Sequence, residues 1–183
     1  MIQTDLFAFK STYVHKVSLF KRSCWYFANN IFFKSSLFHS YYLKSLILKC
    51  FGSKIGKNVV IKPSINIKYP WLLEIGDNTW IGEYVWIDNL APVIIGANVC
   101  ISQAAMLLTG NHNYTSSKFD LITKEIVIHE GVWIGAKSIV CPGVICKSHA
   151  VLTVGSVATS NLEPYSIYQG NPAKFIRNRR IAE

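Results

Sequence analysis

Ile75-Gly-Asp-Asn-Thr-Trp-Ile81-Gly-Glu-Tyr-Val-Trp-Ile87 places an aliphatic residue at every sixth position. An amphipathic helix repeats at about 3.6 residues and a plain strand at 2, so neither buries this spacing, and the chain must turn after each short strand. Three such units close a triangular coil. The same phase runs upstream through Ile55, Ile61 and Ile67 and downstream through Ile95, Ile101 and Leu107. After an interruption it resumes at Ile128, Ile134 and Val140, and Cys146, Leu152 and Ala158 continue it less typically. Four places after the aliphatic stand small or β-branched residues (Val59, Thr79, Val85, Val99, Ala105, Val132, Ser138) that fit a narrow interior. Glycine follows the aliphatic at 56, 76, 82, 96 and 135, and Asn58, Asn78 and Asn98 come two places later. Both types tolerate left-handed backbone angles and are read as corner residues. Eighteen residues per coil predicts about five coils between Ile55 and Glu163.

Residues 1–54 lack the hexad. They carry eight Lys/Arg against one acid, Asp5, and so hold most of the chain's net charge of +9. Leu37 to Phe51 reads as an amphipathic helix ended by Gly52. Lys21, Arg22 and Lys34 interrupt every apolar run, which argues against a membrane span. Two readings stay open for this segment, and they are compatible. It can cap the open end of the solenoid, or its aromatics and lysines can dock on an anionic membrane surface. Two units are therefore expected: a basic aromatic helical segment, 1–54, and a solenoid, 55–183, with a loop at 108–127 and a tail at 164–183.

The five cysteines form no Cys-x-x-Cys pair and no disulfide-dense scaffold, and no cleavable signal peptide is recognisable. A reducing cytoplasm is expected, with the cysteines as small core residues. No nucleic-acid motif accompanies the positive charge, so nucleic acid is not an expected partner. Gly52-Ser-Lys-Ile-Gly-Lys57 lacks the spacing of a phosphate-binding Walker loop.

Between Leu107 and Ile128 the aliphatic spacing jumps, and a loop containing Gly110-Asn-His-Asn-Tyr114 leaves the coil. Loops on a rigid scaffold commonly carry function, and a neutral imidazole at His112 suits general-base work near neutral pH. No second histidine follows at a zinc-binding spacing, so no metal site is expected.

Ile75-Gly-Asp-Asn-Thr-Trp80 and Ile134-Gly-Ala-Lys-Ser-Ile139 resemble the hexapeptide repeat of the left-handed β-helix acyltransferases. Thr109-Gly-Asn-His-Asn-Tyr114 resembles the histidine segment of the colanic-acid or exopolysaccharide O-acetyltransferases. Similar text runs from Lys68-Tyr-Pro-Trp71 through Trp86-Ile-Asp-Asn-Leu90 and Cys100-Ile-Ser-Gln103 to Phe119-Asp-Leu-Ile-Thr-Lys124. The resemblance spans about Leu48 to Arg177. It implies an all-β, left-handed parallel β-helix, an acetyl-CoA co-substrate, a homotrimer and a sugar or lipid-linked glycan acceptor. It also implies that His112 is the general base of a direct transfer, with a backbone N–H stabilising the oxyanion. Asp88 or Asn89, one coil earlier, is the expected partner that fixes the imidazole. Tyr84, Trp86, Asn111 and Tyr114 are expected at the acceptor, and Tyr84 departs from the asparagine common in relatives. Ala136, Val154, Thr159, Ser160, Lys174 and Arg177 occupy positions matching the CoA groove, although Thr159-Ser160 replaces a frequent Thr-Lys. Arg179 and Arg180 extend that basic tail. An amino-sugar N-acetyltransferase or antibiotic O-acetyltransferase of the same fold is the nearest rival, and a non-catalytic trimeric scaffold is another. A trimer would also cover the tryptophans expected on the outer faces, Trp80, Trp86 and Trp133.

Overall fold

A computed structural model describes residues 3–11 and 13–182. From Lys54 onward the chain winds as a left-handed parallel β-helix with three faces. The first face stacks Lys54–Ile55, Leu73–Ile75, Val93–Ile95, Ile126–Ile128 and Ile145–Cys146. The second stacks Val60–Ile61, Trp80–Ile81, Cys100–Ile101, Trp133–Ile134 and Val151–Leu152. The third stacks Asn66–Ile67, Trp86–Asp88, Met106–Leu108, Ile139–Val140 and Val157–Ala158. Five coils are complete and the solenoid runs on to about six turns, slightly more than the repeat predicts. A sixth begins where Leu162 bridges to Cys146 and Ser166–Gly170 joins the second face. Ala173–Asn178 then folds back antiparallel as the last strand.

The repeat is not uniformly eighteen. Ile55 pairs with Ile75 and Ile75 with Ile95, twenty residues apart, whereas Ile128 pairs with Cys146, eighteen apart. The two extra residues sit at the third corner, where the first coil makes the 3-10 turn Pro70–Leu72. The wider third corner of the early coils is the one from which the loop emerges.

The interior is the aliphatic ladder with its small partners. Ile61, Ile81, Ile101, Ile134 and Leu152 are buried, as are Val85, Ala105 and Ser138. Asn58, Asn78 and Asn98 do adopt left-handed angles, with φ of 54° to 56°. The hexad glycines have a different reason. A Cβ on Gly76 would lie 2.6 Å from the backbone of Gly96 and Ala97, and one on Gly135 would lie 2.6 Å from Val154 N. Their requirement is the close approach of stacked coils, not backbone conformation.

Residues 19–50 form a helical cap. Helix α1, Leu19–Ala28, starts at Ser18, whose Oγ accepts from Lys21 N, and runs into a π-helical turn, Asn29–Phe33. Helix α2, Tyr41–Cys50, starts at Ser40 and ends at Gly52, whose φ is 101°. It is therefore four residues shorter at its start than the expected Leu37–Phe51, because the Ser40 hydroxyl caps the first turn by accepting from Leu43 N. Trp25, Phe33 and Leu48 join the solenoid core, and Trp25 Nε1 donates to the Ile67 carbonyl at 3.0 Å. Lys44 is wholly buried, and its Nζ donates to the carbonyls of Ile61 and Lys62 at 3.3 and 2.8 Å. Among the described residues no helix is long and apolar enough to cross a membrane.

Candidate active site

The third corner is built as a ladder of side chain to backbone bonds. Asn89, fully buried, donates to Tyr69 O at 2.6 Å and accepts from Tyr69 N at 2.9 Å. One coil on, the buried Thr109 hydroxyl donates to Asp88 O and accepts from Ala91 N, both at 3.0 Å. This ladder fixes the root of the loop. The loop itself is a β-hairpin in which Gly110–His112 pairs antiparallel with Leu121–Thr123. Lys124 N returns to Thr109 O at 2.9 Å and closes the hairpin base.

His112 sits on the first strand of the hairpin, half-buried. Its Nδ1 lies 2.8 Å from the Phe119 carbonyl. A carbonyl only accepts, so Nδ1 carries the proton and the neutral ring keeps its lone pair on Nε2. The ring stacks on that of Phe119, with centroids 4.4 Å apart and planes inclined by 10°. Phe9 meets it edge-on at 5.9 Å. The imidazole is thus held in one tautomer and one plane, which suits it to take a proton from a substrate hydroxyl at Nε2.

Among the described residues neither Asp88 nor Asn89, the partners expected to fix the ring, bonds to His112. Asn89 is committed to the Tyr69 backbone, and the Asp88 carboxylate pairs with Lys68 at 2.8 Å. Asp88 O also accepts from Thr109 N at the hairpin root. The group that meets His112 Nδ1 is instead the backbone carbonyl of Phe119, which no side-chain reading could single out. A second feature absent from the sequence reading is the N-terminal strap. Asp5 N donates to Ser117 O at 2.8 Å, and Tyr13 donates its hydroxyl proton to Leu90 O at 2.9 Å. Together with Phe9, these contacts lay the strap across the third corner and the hairpin.

Most of the other expected site residues divide between two corners. Asn111 and Tyr114 accompany His112 on the hairpin; Asn111 Oδ1 accepts from His112 N at 2.8 Å, and Tyr114 is exposed. Thr159 and Ser160 are exposed beyond Val157–Ala158, at the third corner of the fifth coil. Tyr84, with φ of 59°, lies at the second corner, as do Ala136 and Val154 two and three coils on, where Gly155 N donates to Ala136 O at 2.9 Å. A full face of the prism separates these groups within one chain. Trp86 lies on that face, 41% exposed. Lys174 and Arg177 are exposed on the last strand of the second face. Arg179 is spoken for by structure, because its Nη1 donates to the carbonyls of Gly131 and His149 at 2.9 and 3.1 Å. Burial pushes the Cys146 thiol up to about 12 and the Cys141 thiol upward, which leaves neither as a ready nucleophile.

No protein-family model matches the chain. Among characterised sequences it is 40% identical, over 139 residues, to WcaF of Escherichia coli, the protein assigned as the colanic acid biosynthesis acetyltransferase; the match covers 76% of each chain. It is 29% identical over 137 residues to the galactoside O-acetyltransferase of the same organism, covering 73% of this chain and 67% of that one. Among solved structures, a hexapeptide-repeat acetyltransferase of Vibrio cholerae complexed with acetyl coenzyme A superposes with a TM-score of 0.79 at 22% identity, over 95% of this chain and 97% of the other.

Proposed function

The chain belongs to the hexapeptide-repeat acetyltransferases, together with the colanic acid biosynthesis protein, and on that premise we propose that it moves acetyl from acetyl-CoA to a sugar hydroxyl in assembly of a bacterial exopolysaccharide, capsule or O-antigen. The observation that carries the chemistry is the bond from His112 Nδ1 to the Phe119 carbonyl, which leaves Nε2 as the basic atom.

In this reading His112 Nε2 takes the proton of the acceptor hydroxyl as the oxygen attacks the thioester carbonyl. The imidazolium that forms keeps Nδ1–H on the Phe119 carbonyl, so the ring does not turn between steps. The C–O bond forms, the C–S bond breaks, and Nε2 returns its proton to the departing CoA sulfur. No covalent enzyme intermediate is needed, consistent with the raised Cys141 and Cys146 thiols. Asn111 and Tyr114, beside His112, would contact the acceptor.

The division of site residues between two corners supports a homotrimer. His112 at one chain's third corner and Tyr84, Ala136 and Val154 at a neighbour's second corner would together line one cleft. Exposed Trp80 and Trp133 on the second face would be covered by the same association. Acetyl-CoA would lie in that cleft along the later coils. Ala136 and the open Gly155 corner leave room for a pantetheine arm, and Lys174 and Arg177 offer cations to phosphate.

The cap supports a peripheral placement at an anionic membrane, where lipid-linked glycan acceptors reside. Phe20, Phe27 and Ile31 line the outward side of α1 and its π-helical turn, and Leu37 follows; all are exposed, in the segment that holds most of the positive charge.

The experiment is acetyl transfer from acetyl-CoA to a panel of sugars and lipid-linked glycans by wild type and His112→Ala, with CoA release and product followed. Transfer lost in the variant while acetyl-CoA still binds establishes the base. Equal rates in both overturn it.

A further inference from the structure

Between α1 and the third face lies a cavity of about 290 Å³. Arg22 and Lys34 line it from the cap, and Lys68, Tyr69, Trp71 and Trp86 line it from the first two coils. Its floor is structural: Trp25 Nε1 is spent on Ile67 O, and Asn29 Nδ2 on Asn66 Oδ1 at 2.9 Å. Its walls are not. Tyr69 and Trp71 stack with centroids 5.0 Å apart and form one aromatic side, and the partly exposed Trp86 forms another. Lys68 is neutralised by Asp88, but among the described residues neither Arg22 nor Lys34 enters an ion pair. Among the described residues two polar atoms of the lining are buried without a hydrogen-bond partner, Arg22 Nε and Asp88 Oδ1, and the latter already has the Lys68 ammonium 2.8 Å away. A buried guanidinium N–H without an acceptor is costly, and an oxyanion is the group that relieves it.

The cavity adjoins the proposed chemistry. Asp88 at its rim accepts the bond from Thr109 N at the hairpin root. Trp86 pairs in register with Met106, only one coil, or about 5 Å, from the strand that leads into the hairpin.

We propose that this cavity is an acceptor subsite for an anionic group carried on a sugar ring, a carboxylate or a phosphate, with Arg22 and Lys34 as counter-charges and Trp71 and Trp86 packing on the ring. The inference rests on the sugar O-acetylation reading and names the chemical class of its acceptor. Aromatic walls with a few placed polar groups suit a sugar's C–H faces and fix its orientation.

The test is equilibrium binding to the full chain, without acetyl-CoA, of methyl β-glucuronide, galactose 1-phosphate and methyl β-galactoside. The anionic probes should bind about tenfold or more tightly than the neutral one, and added salt should erode the preference. Arg22→Gln and Lys34→Gln should each lose about tenfold toward the anionic probes and leave the neutral probe unchanged, with Arg22→Lys recovering part of the loss. The stronger of the two anionic probes distinguishes a uronic acid from a sugar phosphate. Lys34 is exposed, so its variant reports on binding even if Arg22→Gln disturbs the cap. Equal affinity for all three probes, no binding of any, or variants that bind like wild type overturn the subsite. Transfer is assayed separately: charge-selective binding without acetyl transfer would refute the acetylation reading while leaving the subsite standing.

Discussion

His112 and Phe119 face each other across the two strands' connecting loop in a double contact: the Phe119 carbonyl holds His112 Nδ1 at 2.8 Å, and the Phe119 ring lies flat on the imidazole, 4.4 Å away. The two contacts are separable by substitution. His112→Ala removes the base, and kcat should fall by about 10²–10⁴, the usual worth of general-base catalysis. Phe119→Leu keeps the carbonyl and loses the stacking, so kcat should fall far less, with the KM for acetyl-CoA unchanged. Steady-state kinetics on both variants checks this, and a Phe119→Leu loss as deep as that of His112→Ala would mean that stacking, not the carbonyl, fixes the ring.

Asn89→Ala separates architecture from chemistry at the same corner. The substitution strips partners from the part-buried amide and carbonyl of Tyr69, and leaving a buried group unpaired costs about 1–3 kcal/mol, an upper bound for each of these two. Thermal unfolding should shift downward by several degrees, while kcat per folded molecule stays near wild type. A collapse of kcat without loss of stability would restore Asn89 as a partner of His112.

The hexad made the solenoid legible, because its period matches neither common secondary structure and every sixth residue must be buried. Ile75, Ile81 and Ile87 announce three faces directly. The jump from Leu107 to Ile128 likewise marks the hairpin that carries His112. What stayed hidden depends on backbone or on distant chain. Phe119 acts through a carbonyl, which every residue owns. Phe9 reaches His112 from over a hundred residues away, and the strap that carries it has no repeat to reveal it. Helix α1 was obscured because Phe20 and Phe27 are apolar on its outward side while Trp25 is apolar on its inward side, so the hydrophobic stripe has no clean edge. The expectation for Asp88 and Asn89 came from proximity by coil. Burial and the Tyr69 backbone claimed Asn89, and Lys68 claimed Asp88.

Lys44 gives the fold a pH signature. Burial pushes its ammonium down to about 8 from an ordinary 10.5. Between those values the unfolded chain holds a proton that the folded chain has shed, so this group makes the fold more stable as pH rises through that window. Below about 8 both states are protonated and the burial penalty is fully present. Chemical denaturation of wild type and Lys44→Met from pH 7 to 10.5 isolates the effect, since other titrating groups are common to both proteins. Wild type should gain on the variant above pH 8; a constant difference across the range would show that Lys44 titrates normally.

The outward side of the cap should be where the protein meets lipid. Phe20 and Phe27 are two helical turns apart on α1 and are 79% and 63% exposed, while Trp25 of the same helix is only 3% exposed and anchors the cap to the core. Replacing the outward pair with serine therefore removes apolar surface without touching the packing that holds α1 in place. Insertion of each ring into an interface contributes on the order of 1–2 kcal/mol by area, so losing both should weaken binding to vesicles by about tenfold or more. Basic residues of the same segment add a salt-sensitive component that requires anionic lipid. Sedimentation with vesicles of phosphatidylglycerol and phosphatidylethanolamine, compared with phosphatidylcholine alone, measures both parts. Wild type should pellet with the anionic vesicles only, and Phe20→Ser/Phe27→Ser should remain in the supernatant while retaining transfer to a water-soluble sugar. Equal partitioning of the two proteins would assign the exposed aromatics to contact with another protein chain instead.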